Sequence, residues 1–243
     1  YSLLVTFLVM FSTLDLLFSS TPLEGPEQMA LDEVLLGVVS RPLLRVYRWK
    51  SPCVTFGYFQ KQKLVESLYP NQDLIRRWSG GGCVEHGEDF TFSLMIPESE
   101  AVASQKSSLF YRVLHEAIVV ALQEHQIGAR LATAEDQVVG ASCFVAPCPC
   151  DVMLDGKKIV GGAQRRSAGR LLHQGSLCCS VTGCRLQVTG QGEETKTGEF
   201  FFLSLAKQLS PELNFVEEKK QWLEEAYQLS LQKYRSKEWQ RKR

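Results

Sequence analysis

The run Arg76-Arg77-Trp78-Ser79-Gly80-Gly81-Gly82-Cys83-Val84-Glu85-His86 organises the rest of the chain. Three successive glycines strip the side chains from a short arc of backbone, so a ligand can approach the amides directly. Consecutive N–H groups in such a turn can form an anion-binding concavity. Arg76 and Arg77 add fixed positive charge and planar, forked donors suited to carboxylate or phosphate. A glycine-rich hairpin beside solvated arginines is the plainer interpretation, since glycine clusters mark loops of every kind. Leu74–Trp78 predicts a strand entering the turn, and the apolar segment Phe90–Ile96, ended by Pro97, predicts the strand leaving it.

Upstream, Thr13–Phe18 reads as the first strand. Residues 1–12 form an ill-defined apolar extension. No basic segment precedes it and Thr6, Ser12, Thr13 and Asp15 interrupt it, so membrane contact is not expected. Gly25-Pro26-Glu27 is a helix start with an acidic first turn. Met29, Ala30, Leu31, Val34, Leu35 and Val38 then supply an apolar face at helical spacing. Leu43–Trp49 and Cys53–Phe59 read as strands, and Leu64–Tyr69 as a short helix stopped by Pro70.

Downstream, Ser107 or Ser108 caps the longest helix, whose stripe is Phe110, Val113, Leu114, Ala117, Ile118, Ala121 and Leu122, with Gly128 as the C-cap candidate. His115 and His125 on it are expected to be surface or packed residues. Asp151–Gly161 reads as a β-hairpin because Asp155-Gly156 sits between apolar runs. Both faces of this hairpin are apolar, so alternation leaves the directions of Lys157 and Lys158 open, and edge lysines are the plain interpretation. Gly156-Lys157 lacks the flanking residues of a Walker phosphate loop. Arg170–Val181 predicts one strand or a pair. Glu199–Leu209 and Phe215–Tyr234 predict helices separated by Pro211, so that 199–243 forms C-terminal helices. Strands with interspersed helices and few long βα repeats favour an α+β fold.

The chain has 243 residues, no formal net charge and eight cysteines. It is long enough to bury a sizeable core, and residues 13–243 read as a single catalytic domain. Neutrality gives no electrostatic reason to expect nucleic acid or an anionic membrane as partner. The cysteines are not spaced as a small disulfide scaffold, so reduced thiols in a cytoplasmic protein are expected. Cys148 and Cys150 are close together, but Cys178, Cys179 and Cys184 have no partner histidine at zinc-site spacing, and no metal is expected.

Four motifs in order are similar to the lipoate–protein ligase and octanoyltransferase family, cousins of the biotin protein ligases. They are Met29-Ala30-Leu31-Asp32-Glu33; Tyr47-x-Trp-x-Ser-Pro through Gly57-Tyr58-Phe59-Gln60; the arginine–glycine run with His86; and Asp151-Val-x-x-x-Gly-Lys-Lys-Ile-Val-Gly-x-Ala-Gln-Arg-Arg with Leu-Leu-His-Gln-Gly-Ser-Leu. The resemblance runs from about Thr13 to Val181. It implies a mixed, largely antiparallel sheet flanked by helices, as in class II aminoacyl-tRNA synthetases, and attachment of octanoyl or lipoyl groups to a lysine of a lipoyl carrier domain. It also implies a substrate-binding set of Arg76, Arg77, Ser79, Gly80, Gly81, Gly82, Cys83, Val84, His86, Gly161 and Ala163. His86 is expected to contact ligand more than to act as a base, and His173 to line the acyl pocket.

Both branches of the family leave marks here. Ligases make an acyl-adenylate from ATP and Mg²⁺, and the Gly-Gly-Gly spelling resembles theirs. In that case Arg77, the amides of Gly82 to Glu85 and Lys158 would hold the adenylate. The Gly-Asn pair that usually follows the ligase histidine is replaced by Gly87-Glu88-Asp89. Octanoyltransferases need no cofactor and use a nucleophilic cysteine. Cys143-Phe144, fifteen positions before Lys158, resembles the Cys-Phe of one such branch, although that branch usually ends its glycine turn Gly-Gly-Arg. The expected function is therefore transfer through a Cys143 thioester, with Lys158 as the second catalytic residue. Acyl carrier protein would be the donor, and lipoyl domains of 2-oxoacid dehydrogenases or glycine cleavage H protein the acceptors. The alternatives are an ATP-dependent ligase and, more weakly, a non-catalytic acyl- or carrier-binding paralogue. The motif further predicts that Lys158 faces the glycine turn across one cleft while Lys157 faces solvent.

Overall fold

A computed structural model describes residues 9–136, 147–178 and 193–242, with the side chains of 193–198 also outside the description. Eleven described strands are β1 (Thr13–Phe18), β2 (Leu43–Tyr47), β3 (Cys53–Phe56), β4 (Leu74–Arg76), β5 (Val84–His86), β6 (Phe90–Ile96), β7 (Arg130–Leu131), β8 (Val152–Leu154), β9 (Lys157–Ser167), β10 (Arg170–Leu177) and β11 (Glu212–Phe215). Eight of them form one sheet in the order β11-β1-β2-β6-β10-β9-β8-β7, and β4-β3-β5 form a second, smaller sheet. Only β11-β1-β2 run parallel within the large sheet, and its other pairs are antiparallel. The fold is the expected mixed, largely antiparallel α+β.

Period-two alternation sorts the strand side chains onto two faces. Leu44, Val46, Phe92, Leu94, Ile96 and Leu171 pack with the apolar stripe of α3 (Ser107–Glu124) and with Phe201, Phe202 and Leu205 of α4 (Glu193–Leu209). Leu43, Tyr47, Met95 and Leu172 face the other way, against Met29, Leu31 and Leu35 of α1 (Gly25–Val38). Tyr234 and Trp239 complete that second layer, after α5 (Lys220–Leu229) and in α6 (Lys237–Gln240). Helix α1 starts where expected, with Pro in its first turn and a reciprocal capping box between Glu24 and Glu27. Helix α2 (Gln62–Leu68) buries only Val65.

Several expectations are corrected. Lys106, not a serine, is the N-cap of α3, and Ser107 is its first residue. The helix ends at His125, and Gln126 takes the positive φ (61°), so Gly128 is not the cap. Phe215 does not open a helix: Glu212–Phe215 pairs in parallel with β1, and the helix begins at Lys220. Strand β11 carries no apolar alternation because it is an edge strand, with Glu212, Asn214 and Phe215 exposed. Met10 and Phe11, within the expected extension, both donate backbone N–H bonds to the Leu209 carbonyl, and Phe11 is in the core. The Asp155-Gly156 hairpin forms as expected, with both φ angles positive (48° and 74°).

Candidate active site

On β9 the odd positions Gly161 and Ala163 face the cleft, and across the β10 pairing so do Gln174 and Ser176. Lys158 has the opposite parity. It reaches the same cleft where the register slips, Val152 pairing Val160 but Met153 pairing Lys158. A bulge of this kind re-aims a side chain. Lys157 is exposed, whereas Lys158 is only 8% exposed. Its Nζ lies 2.7 Å from Oδ2 of fully buried Asp151. Asp151 also accepts the Tyr111 hydroxyl on Oδ1 and the Cys148 N–H on Oδ2. Burial, and then the Asp151 charge, push the Tyr111 phenol well above its ordinary range, so it remains a proton donor.

The glycine turn lines the same cleft through Gly81 and Gly82, with Arg77, Val84 and His86. Gly81 has φ +85°, which only glycine adopts without strain, and a Cβ there would touch the Ala163 methyl at 3.5 Å. The turn is pressed onto β3's end: a Cβ on Gly57 would fall 1.9 Å from the Gly81 carbonyl oxygen. The cleft holds about 520 Å³ of empty space, its open mouth included, and its lining is mainly apolar.

The two arginines do different work. Arg77 donates Nη1 to Thr55 Oγ1 (2.7 Å) and Nη2 to the carbonyls of Gly80 (2.9 Å) and Gly82 (2.7 Å). Arg76 is fully buried and is not part of the cleft lining. Its guanidinium donates to the carbonyls of Tyr58 (2.6 Å), Gln60 (2.8 Å) and Gln240 (2.9 Å). Ser79 and Cys83 are also buried behind the turn. Ser79 donates to Gln174 Oε1 at 2.5 Å, and Cys83 packs with Val54, Phe56 and Val65. Gly80 is likewise outside the lining.

His86 lies in the cleft wall, stacked on Trp49 at 4.1 Å. Its Nδ1 is 2.8 Å from Asp89 Oδ2 and its Nε2 2.8 Å from Thr55 Oγ1. Burial raises the Asp89 carboxyl, but the His86 charge and the bonds from His86, Ser176 and Gly87 outweigh it and bring it down to about 2. His173 lies on the opposite face of the sheet, among Phe92, Phe110, Tyr111 and His115, and not in the cleft. Cys143 lies outside the described residues. Among the described residues no group of three His, Cys, Asp or Glu side chains could hold a metal ion, and no helix is long and apolar enough to cross a membrane.

Sequence reasoning did not single out Met29, Trp49, Thr55, Thr91, Gln174, Ser176, Gly162 or Gly175, all of which line the cleft. Met29, Trp49, Gln174, Gly175 and Ser176 stand inside the motifs quoted above, so the signal was there. Thr55 and Thr91 read as ordinary strand residues.

The lipoyl protein ligase A/B catalytic domain matches residues 24–214, and the chain belongs to that family. Within it, the chain is 32% identical over 166 residues to octanoyltransferase LipM of Clostridioides difficile, covering 63% of this chain and 61% of that protein. It is 36% identical over 173 residues to octanoyltransferase LipM of Oceanobacillus iheyensis, covering 67% and 63%. The match thus spans less than two thirds of these curated relatives' length. The putative lipoate protein ligase of T. acidophilum with bound lipoic acid shares the fold, with a TM-score of 0.69, 23% identity, and coverage of 96% of this chain and 100% of that one.

Proposed function

We propose that the protein transfers an octanoyl or lipoyl group to a lysine of a lipoyl carrier domain, through a thioester on Cys143. The observation that carries this reading is buried Lys158 in the same cleft as the Gly81–Gly82 amides. An ammonium and backbone donors lining one cleft suit the oxyanion that develops when an acyl carbonyl is attacked. The LipM relatives, named as octanoyltransferases, favour the same chemistry.

In the first half-reaction the Cys143 thiolate attacks the acyl carbonyl carbon of the donor thioester. A new C–S bond forms to Cys143, and the donor's C–S bond breaks to leave a thiolate that takes up a proton. In the second, the acceptor lysine amine attacks the enzyme thioester, forms the amide, loses a proton and releases the Cys143 thiolate. Lys158 would stabilise thiolate and oxyanion in turn. Acyl carrier protein is the proposed donor. A lipoyl domain, of the kind named with the archaeal ligase that shares this fold, is the proposed acceptor.

The ATP-dependent ligase reading finds less support, because the relatives above 30% identity are named octanoyltransferases. The test is to incubate the protein with apo lipoyl domain and either octanoyl-carrier protein or lipoate with ATP and Mg²⁺. Octanoyl-carrier protein alone should modify the domain and, with acceptor omitted, add one octanoyl group to the enzyme mass. Cys143→Ser should lose both. Modification only with ATP, undiminished in Cys143→Ser, would establish the ligase instead.

A further inference from the structure

We infer that Asp89, His86 and Thr55 are positioning residues that act on the glycine turn through Arg77, so that a buried hydrogen-bond relay sets the aim of the turn's amides. The inference rests on the acyl-transfer reading for its catalytic consequence, although the relay itself is a matter of geometry.

The direction of each bond follows from chemistry. Asp89 is a carboxylate with four donors: on Oδ2 the Thr91 hydroxyl (2.8 Å), the Ser176 hydroxyl (2.5 Å) and His86 Nδ1 (2.8 Å), and on Oδ1 the Gly87 N–H (3.1 Å). A carboxylate only accepts, so His86 carries its proton on Nδ1. Arg77 only donates, so Thr55 Oγ1 accepts from Arg77, and its remaining lone pair and its own proton are left for the bond with His86 Nε2. Both imidazole nitrogens are therefore spent inside the protein, and the ring is fixed between Asp89 and Thr55. Trp49 holds the ring plane by stacking at 4.1 Å and ties back to the anchor through its own N–H bond to Thr91 Oγ1 (2.7 Å).

The output end is the glycine turn. Arg77 Nη2 clasps the carbonyls of Gly80 and Gly82, which flank Gly81. Rotating either carbonyl rotates the peptide plane, and with it the N–H of the next residue. The Gly81 N–H, carried by the Gly80 peptide plane, is one of the donors that would meet an acyl oxygen, and a small error in its aim is costly in rate. Arg77 lies only 5% exposed and Thr55 is fully buried.

The experiment uses full-length protein labelled with ¹⁵N, and compares wild type with Thr55→Val, Thr55→Ser and Asp89→Asn. In wild type, long-range ¹H–¹⁵N spectra should show His86 with Nδ1 protonated. Thr55→Val removes the hydroxyl but keeps the shape; it should shift the Gly81 and Cys83 amide resonances and lower kcat at least 10-fold, with KM for octanoyl-carrier protein changed less than 3-fold. Thr55→Ser should restore both, and Asp89→Asn should lose the Nδ1–H signature. Unchanged Gly81 and Cys83 amide resonances in Thr55→Val and Asp89→Asn would overturn the relay. Shifted resonances with unchanged kcat would overturn its positioning role. Wild-type protein inactive with every donor would defeat the acyl-transfer reading, while the spectra still judge the relay.

Discussion

Lys158 and Asp151 form an ion pair of 2.7 Å in which the lysine side chain is 6% exposed and the aspartate fully withdrawn from solvent. Taking one partner away leaves a buried charge, which typically costs 3–5 kcal/mol, although the Tyr111 and Cys148 bonds to Asp151 reduce the loss here. Lys158→Ala should therefore abolish transfer and lower stability by roughly 2 kcal/mol. Lys157→Ala, at an exposed position, should change neither by much. Turnover assays beside urea unfolding of the two variants check this.

Two glycines of the central strands separate activity from stability. A Cβ at Gly161 would meet Lys158 Cε at 2.4 Å and Nζ at 2.6 Å, whereas one at Gly175 would meet the Phe92 ring at 2.3 Å. The lysine end can swing aside; a packed ring cannot. Gly161→Ala should cost at least 10-fold in turnover with a near-normal melting temperature. Gly175→Ala should destabilise by about 1–3 kcal/mol through overpacking. A Gly161→Ala protein with full activity would show that the position of Lys158 does not matter.

Buried histidines set an acid limit. Burial pushes His115 down to about 4 and His173 well below its ordinary value. In the unfolded chain both titrate near 6.5, so between 6.5 and 4 the unfolded state binds more protons and stability falls as pH falls. The loss due to His115, absent above about pH 6.5, approaches roughly 3 kcal/mol by pH 4. Asp89, held at about 2, acts in a lower window: its contribution is present above about 4 and is lost as pH falls towards 2. Urea midpoints at pH 7 and pH 5 should differ in wild type, and the difference should shrink in His115→Gln.

Trp239 is 7% exposed and donates its indole N–H to the Arg76 carbonyl at 3.0 Å. Trp239→Ala should cost about 3–5 kcal/mol. Arg76→Lys should also destabilise strongly, because a point charge cannot reach three separated carbonyls as a guanidinium does. Equilibrium unfolding of both variants measures these losses. A shift below 1 kcal/mol in Trp239→Ala would mean that α6 is not anchored there.

What the sequence made legible was local chemistry. Thr13–Phe18 and Phe90–Ile96 are strands over the expected ranges, because continuous apolar runs between breakers admit little else. Asp155-Gly156 dictated its turn through positive φ. Pairing across long separations was not legible. Glu212–Phe215 is a strand only because β1 offers it an edge, and its own residues, mostly exposed, carry no period. Arg76 and Arg77 look equivalent in the sequence, yet strand alternation sends one guanidinium to the C-terminal segment and the other to the glycine turn. The basic tail reads as a solvated helix end, but Trp239 and Gln240 are buttressed against Arg76, 163 and 164 positions away.

That last contact bears on how the protein is made. Synthesis proceeds from the N-terminus, and Arg76 emerges from the ribosome long before Gln240 exists to receive its guanidinium. Until then the Tyr58–Gln60 carbonyls and the glycine turn beside them lack one side of their clasp. Parallel pairing of β1 with β11 spans 199 residues and waits on the same late segment. Contacts so remote in sequence are slow to close. The nascent chain therefore carries its cleft half-built until the segment through Gln240 has been made and has docked.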